Sequence, residues 1–278
     1  MVRTRIDFSE IRDDWYRGAD LMARLIDQSR QGGPILTGFP AQWLPLFTHF
    51  DARWAKPAAP ERFSPLRSNL RVEQLLELIR AAQAEGQTRL LAEGTAALDP
   101  LIADVLHKLD RRAAPLAPAT PAKICFTGWQ SYGRPEVLDF EDRVQASALA
   151  NSRTAILLPC ARKRPYHLSR THARLWRGLR PLGQAPEAVD QIVISSLGVV
   201  PSSFWEDPIV AAYDSGVPDV YRVLRLMRAF FSRARYQQVI DCLEFEPYRD
   251  CLRIVERERL VGAIVDGPQR NVRRLPRP

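Results

Sequence analysis

Four short apolar runs constrain the fold more than anything else in this chain: TAILLPC at 154–160, DQIVISS at 190–196, YQQVIDCL at 236–243 and GAIVDG at 262–267. Each has a β-branched core of strand length, and helical patterns separate at least some of them. That alternation predicts an α/β unit built on a parallel sheet with crossover helices. In such sheets chemistry collects in the loops just past the carboxyl ends of the strands. Two segments in those places are dense in functional groups: PCARKRPYHLSRTH after the first run and SSLGVVPSSFWEDPIVAAYD after the second.

Upstream the pattern is different. DDWYRGADLMARLIDQS places Trp15, Leu21, Met22, Leu25 and Ile26 at helical spacing and stops at Gly32-Gly33, and LRVEQLLELIRAAQAEG repeats the pattern and stops at Gly86. The proline- and aromatic-rich stretch from Pro40 to Pro65 reads as an ordered, irregular connection. PLAPATPAK at 115–123 has the spaced prolines of an extended linker. The expected organisation is a mainly helical region over residues 1–122 followed by an α/β domain over 123–278.

The 278 residues are 46% apolar and 26% charged, a globular mixture that excludes wholesale disorder, collagen and a minimal disulfide scaffold. The apolar runs fall far short of the roughly 20 residues a spanning helix needs, and the charged start MVRTRIDFSEIRDDW lacks a secretion signal's apolar core. An intracellular protein with no membrane partner is expected, its cysteines (Cys125, Cys160, Cys242, Cys251) free thiols without metal-finger spacing. The net charge is +8, and only four of the 40 basic residues are lysines. Guanidinium forks suit a polyanion, although a GC-rich genome also raises arginine content. Position favours the polyanion: residues 151–180 hold eight basic side chains and no carboxylate, along with a cysteine, two histidines and a tyrosine. A second basic set, Arg222, Arg225, Arg228 and Arg235, fits a solvated helix face as well as a nucleic-acid track. The terminal RNVRRLPRP reads as a tail adding nonspecific phosphate attraction.

The first segment reads Pro159-Cys160, three residues on Arg164-Pro165-Tyr166, then Ser169 and His172; the second reads Ser195-Ser196-Leu197-Gly198-Val199-Val200-Pro201, followed by Tyr213-Asp214. With RPEV at 134–137 and Phe140 upstream, this order and spacing resemble a domain of the archaeosine synthase family, Arg164 standing where that family has lysine. The resemblance covers about residues 130–260. It implies a uracil-DNA-glycosylase-like α/β fold and chemistry on the nitrile of 7-cyano-7-deazaguanine within a nucleic acid. Archaeosine synthases add lysine to that nitrile in tRNA. A helical N-terminal region in place of a transglycosylase barrel resembles instead the DpdC family of bacterial 7-deazaguanine DNA-modification clusters, which convert the cyano base in DNA to its carboxamide. The expected partner is therefore DNA containing 7-cyano-7-deazaguanine, with tRNA as the alternative polymer. Amidine formation, glycosylase action or a noncatalytic module that binds modified DNA are the competing functions.

On this reading the chemistry needs no cofactor and no metal, since no dense Cys/His/Asp ligand set appears. A nitrile carbon is a poor electrophile, and a covalent nucleophile is one way to activate it. Cys160 is at a strand end beside Arg162, Lys163 and Arg164, and cationic neighbours favour the nucleophilic thiolate. Taken alone it reads as a small apolar-like residue closing a buried strand, and the surrounding motif is what makes it a candidate nucleophile. As nucleophile it would add to the nitrile to give a thioimidate, which water resolves to the amide if sulfur rather than ammonia departs. His172 and Asp214 are the candidates for proton transfer. Tyr166 is a candidate to stack on an extruded base, or else a packed turn residue; Arg164 is placed to contact the base's carbonyl or phosphate. Ser169 caps the next helix or touches substrate. Gly198 shapes its loop, and Ser195 and Tyr213 complete the substrate-binding set. Arg162, Lys163, Arg170 and Arg174 are the candidate nucleic-acid contacts, and His167 is expected in an exposed loop.

Overall fold

The computed structural model describes residues 15–33, 35–36, 39, 41–54, 72–113, 124–125, 129–180, 185–214 and 218–268. The linker at 115–123, the whole of 55–71 and the terminal tail at 270–278 lie outside the described residues. Internal contacts divide the chain into two compact units: Met1–Pro115 with Gly133–Pro135, and Leu116–Tyr132 with Glu136–Pro278.

The first unit is helical among its described residues: α1 (Trp15–Arg30), α2 (Leu44–His49), α3 (Val72–Ala84), α4 (Thr88–Ala96) and α5 (Pro100–Ala113). On α1, Ala19, Met22, Ala23 and Ile26 are buried, and on α5, Ile102, Val105, Leu106 and Leu109. Both sets follow i, i+3, i+4, i+7, so each helix has one apolar stripe, and the two helices pack together. The glycine stops are real: Gly32 and Gly86 have φ of 90° and 67°, a left-handed conformation that costs glycine little. Pro100 opens α5, and the preceding Asp99 carboxylate accepts from the Leu101 N–H at 2.9 Å. Within the core, Arg89 forks onto Asp110 and donates from Nε to Glu93 at 2.8 Å, and Arg134 Nε donates to the same carboxylate at 2.6 Å. All four side chains are buried, so loss of one would strand a charge at a cost of about 3–5 kcal/mol.

The second unit carries a five-stranded sheet: β2 (Thr154–Pro159), β3 (Asp190–Ser195), β4 (Gly198–Pro201), β6 (Gln238–Asp241) and β7 (Ala263–Asp266). A separate short pair joins β1 (Ile124–Cys125) to β5 (Tyr213–Asp214). All four anticipated runs are strands, and they lie parallel in the order β3-β2-β6-β7. Residues 155–159 of β2 are fully buried, as a central parallel strand covered on both faces requires. Crossovers are supplied by α7 (Arg170–Leu179) between β2 and β3, and by α10 (Glu246–Arg257) between β6 and β7. α6 (Pro135–Ala146), α8 (Pro208–Ala212) and α9 (Val220–Arg233) complete the unit.

One element departs from the purely parallel expectation. β4 pairs antiparallel with β3, Ser195 opposite Gly198, so the SSLGVVP stretch is a two-residue hairpin rather than an open loop. Gly198 makes that turn possible: its φ is 110°, and a Cβ there would lie 2.6 Å from Leu226 Cδ1 on α9. Arg222 of α9 ties the turn down, donating to the carbonyls of Ser196 at 2.9 Å and Leu197 at 3.2 Å and to Glu141 of α6 from Nε at 2.8 Å. Arg225 also pairs with Glu141, and Arg228 with Glu258. The α9 arginines therefore serve packing and local ion pairs.

Candidate active site

The first strand of the parallel set has neighbours on both sides, and its successors leave in opposite directions: β3 to one side, β6 to the other. Ligands in such sheets bind beyond the carboxyl ends of the strands at this switch point. Cys160 directly follows β2 there, and its thiol is half-buried and free. Three side chains converge on it. Sγ is 3.4 Å from Tyr213 Oη, 3.6 Å from Tyr166 Oη and 3.8 Å from Arg164 Nη2. The two phenol oxygens are 2.5 Å apart.

Local structure explains the convergence. Tyr166 opens a one-turn helix, Tyr166–Leu168, and Tyr213 is the first residue of β5. Arg164 sits over the Tyr213 ring, its Cζ 3.9 Å from the centroid, and Nη1 donates to the Tyr213 carbonyl at 2.5 Å. Its Nε is buried with no hydrogen-bond acceptor. A lysine could keep the charge but not the stacked, forked contact. Burial pushes both phenols above their ordinary pKa, with the nearby thiol adding to the effect. Both therefore remain O–H donors at neutral pH. Burial opposes the charge on Arg164, but the Tyr213 and Tyr166 oxygens outweigh it and hold the guanidinium's pKa above its usual value.

The expected acids are placed otherwise. His172 is buried, and its Nε2 donates to the Pro159 carbonyl at 2.9 Å, so that nitrogen carries the ring proton. Its ring packs against Tyr166 and Trp205 at 5.6 and 5.8 Å between centroids. Burial lowers its pKa, with the Pro159 bond working against that. The imidazole thus braces the strand end that precedes Cys160 and the ring of Tyr166. Asp214 is exposed whereas Tyr213 is buried, and successive strand residues face opposite ways, so its carboxylate points away from the tyrosine's side of β5. The O–H groups beside the thiol are those of the two tyrosines. Sequence reasoning gave Tyr166 and Tyr213 only binding roles, and it overlooked Trp205, whose Nε1 donates to the Val200 carbonyl at 3.2 Å while its ring packs edge-on against Tyr166.

Three further expected residues are built into the frame. Ser169 is the N-cap of α7, its hydroxyl accepting from the His172 N–H at 3.4 Å. Ser195 is fully buried and accepts from the Leu197 N–H at 3.1 Å, closing the hairpin that Gly198 permits. His167 is exposed and faces Glu206 at 3.2 Å. Cys242 and Cys251 are buried free thiols; burial pushes the first up to about 12.

Arg162, Lys163, Arg170, Arg174, Arg177 and Arg180 are all exposed, and among the described residues none forms an ion pair. Arg170, Arg174 and Arg177 recur at i, i+4, i+7 on α7. Cations near a helix N-terminus oppose the macrodipole by about 0.3–1 kcal/mol each, so helix stability does not account for Arg170. No three His, Cys, Asp or Glu side chains among the described residues are grouped to hold a metal ion, and no described helix is long and apolar enough to cross a membrane.

Residues 137–269 match the family described as "Domain of unknown function (DUF5591)". The chain is also similar to curated proteins named archaeosine synthase subunit alpha. That of Methanosarcina acetivorans is 25% identical over 194 residues, 66% of this chain and 31% of the relative. That of Thermococcus kodakarensis is 30% identical over 152 residues, 51% and 26% respectively. That of Thermoplasma acidophilum is 25% identical over 115 residues, 38% and 22%. The matched part therefore spans about a third or less of these relatives' length. A crystal structure titled as AF0587, a protein of unknown function, aligns over 48% of this chain and 44% of its own at 26% identity with a TM-score of 0.37. Residues 137–269, the part matched to DUF5591, carry Cys160, Tyr166 and Tyr213, and the chain is similar to three archaeosine synthase alpha subunits.

Proposed function

We propose that this protein is an enzyme that modifies a 7-cyano-7-deazaguanine base within a nucleic acid, by attack of Cys160 on the nitrile carbon. The observation that carries the proposal is the half-buried thiol with two phenol O–H groups and a guanidinium between 3.4 and 3.8 Å away. In the first step the sulfur forms a bond to the nitrile carbon, one C≡N π bond opens, and the thiol proton passes to the Tyr213–Tyr166 pair as the pair hands a proton to the nitrogen, so that both phenols end protonated. The product is a thioimidate. The Arg164 guanidinium is placed to stabilise charge on sulfur before attack and again as sulfur departs. In the second step an amine adds to the thioimidate carbon and sulfur leaves, giving an amidine and restoring the thiol. The likeness to archaeosine synthase alpha subunits favours this amine-dependent outcome on tRNA. If water takes the amine's place, the same intermediate yields the carboxamide, the outcome expected of a DpdC-like enzyme on DNA.

The exposed cations Arg162, Lys163, Arg170, Arg174, Arg177 and Arg180 support a polyanionic partner, since among the described residues no carboxylate pairs with them. Ser169, Ser195, Gly198 and His172 act as positioning residues. A uracil-DNA-glycosylase-like fold belongs to the same proposal, and the β3-β2-β6-β7 order of parallel strands is compatible with it.

The test is incubation of the purified protein with tRNA and with DNA carrying the cyano base, with and without free lysine, followed by mass analysis of the released nucleosides. A lysine adduct on tRNA supports the amidine reaction; a gain of one water on DNA supports hydration. A released free base would identify a glycosylase, and an unchanged nucleoside in every arm would overturn an enzymatic role. Cys160→Ala abolishes conversion under this mechanism, and intact-mass detection of a base linked to the protein in a Tyr213→Phe background would trap the thioimidate.

A further inference from the structure

Among the described residues the buried tyrosines are Tyr132, Tyr166, Tyr213, Tyr236 and Tyr248. A buried phenol normally finds a hydrogen-bond partner, and the first four do. Tyr166 and Tyr213 bond each other, Tyr236 donates to Asp190 at 2.9 Å, and the Tyr132 oxygen hydrogen-bonds the Asp219 backbone. The Tyr248 hydroxyl has no such partner among the described residues, although its side chain is only 6% exposed. Nor is that oxygen sealed in: the unpaired polar atoms cut off from solvent are Thr48 Oγ1, Gln145 Oε1, Arg164 Nε, His172 Nδ1 and Ser196 Oγ. A phenol held this deep, its oxygen unpaired but reachable, presents a hydrogen bond to whatever enters from solvent.

Its place in the fold says what enters. β6 runs beside β2 with Asp241 opposite Leu157, and the Cys242 N–H donates to the Leu157 carbonyl at 3.0 Å. The chain past β6 therefore leaves the sheet at the same carboxyl edge as Cys160, and Tyr248 is in the first turn of α10, which begins there. Its ring packs edge-on against Phe245 with centroids 4.8 Å apart, and Phe245 is 43% exposed, so the pair leads inward from the surface. Burial raises the Tyr248 pKa, and the charges of Tyr132, Cys160 and Tyr213 add to this while Arg222 opposes it. The group is thus an O–H at neutral pH and an electrostatic neighbour of the thiol.

We propose that Tyr248 is a substrate-binding residue, its O–H donating to the 6-oxo oxygen of the base whose nitrile meets Cys160. The assignment rests on the reading of Cys160 given above. In 7-cyano-7-deazaguanine the nitrile on C7 and the oxygen on C6 leave the fused rings along the same edge, with only C5 between their ring carbons. A donor beside the nucleophile meets that oxygen first, whereas the N3 acceptor is on the far side of the ring system.

The experiment uses the full chain and two bases, each placed in tRNA and in DNA: 7-cyano-7-deazaguanine and its 6-hydrogen analogue, 2-amino-7-cyano-7-deazapurine. Tyr248→Phe keeps the ring on Phe245 and removes only the oxygen, so unfolding without nucleic acid stays within about 1 °C of the parent. On the 6-oxo base the variant raises KM about tenfold, the loss falling on KM rather than kcat, and on the 6-hydrogen base it costs less than about twofold. The same contrast is read as binding, by fluorescence anisotropy in a Cys160→Ala background where no covalent bond forms. Equal losses on both bases, no loss on either, a drop in kcat alone, or a variant that unfolds several degrees lower would each overturn the Tyr248 assignment and leave the Cys160 chemistry standing. A cyano base left unchanged by the parent, with the binding contrast intact, would overturn the covalent reading and keep the Tyr248 contact; loss of both would overturn the two together.

Discussion

Lowering the pH from 7.5 to 5 destabilises the first unit through His49, and His49→Gln removes that part of the loss. The ring is held by burial and by the nearby Arg89 and Arg134 guanidiniums at a pKa of about 3, against 6.5 when exposed; Glu93 opposes the shift. Its Nδ1 is 3.2 Å from Thr88 Oγ1. Because the folded pKa is depressed, the neutral ring is favoured in the native state, and stability is complete above about pH 6.5 and drains away as pH falls toward 3. At pH 5 the unfolded chain gains about 1.36 × 1.5, or roughly 2 kcal/mol, from protonating this histidine, while the folded chain gains almost nothing. That figure depends on the exposed pKa far more than on the buried one, provided the latter is well below 5. The assay is urea unfolding at both pH values, read by far-ultraviolet dichroism. Glutamine keeps a group able to bond Thr88 but cannot titrate, so the variant should lose about 2 kcal/mol less than the parent between pH 7.5 and 5. An identical pH dependence in the two proteins would refute the reasoning, since the proton uptake would then belong to other groups.

Three shorter predictions concern the second unit. Gly198→Ala forces a Cβ into a φ of 110° and to 2.6 Å from Leu226, and should cost about 2–3 kcal/mol in denaturant unfolding; a cost under 0.5 kcal/mol would show that the hairpin relaxes freely. Tyr213→Phe removes the hydroxyl nearest Cys160 and should slow single-turnover conversion by about 10²-fold with the fold unchanged; an unaltered rate would transfer the acid role to Tyr166 or water. Reversing Arg170 and Arg174 to Glu should weaken nucleic-acid binding and flatten the slope of log K against log salt by about 2, whereas Arg225→Gln, already paired with Glu141, should leave the slope within about 0.3.

The parallel strands were legible because a strand covered on both faces must be apolar at consecutive positions, a local property of TAILLPC or DQIVISS. The helix stops at Gly32 and Gly86 were legible for the same kind of reason: a left-handed turn selects glycine wherever it occurs. The hairpin at Ser195–Gly198 was not, although its glycine was noticed, because the turn's meaning depends on Leu226 packing over it and on Arg222 holding its carbonyls from another helix.

Proton chemistry shows the same division. His172 and Asp214 drew notice because residue type alone suggests acid–base work, and a side chain's type is all that a sequence states. Whether a histidine faces a substrate or a strand carbonyl is decided by packing, which turned His172 onto Pro159 and brought Tyr213, 53 residues from Cys160, to within 3.4 Å of it. The sequence by itself determined the alternation of strands and helices, the cysteine at a strand end and the unbalanced run of arginines, because each is a property of neighbouring residues. Only the tertiary structure decided that two phenols and one guanidinium, rather than the histidine or the carboxylate, surround that thiol, because contacts between distant segments are set by how the core closes.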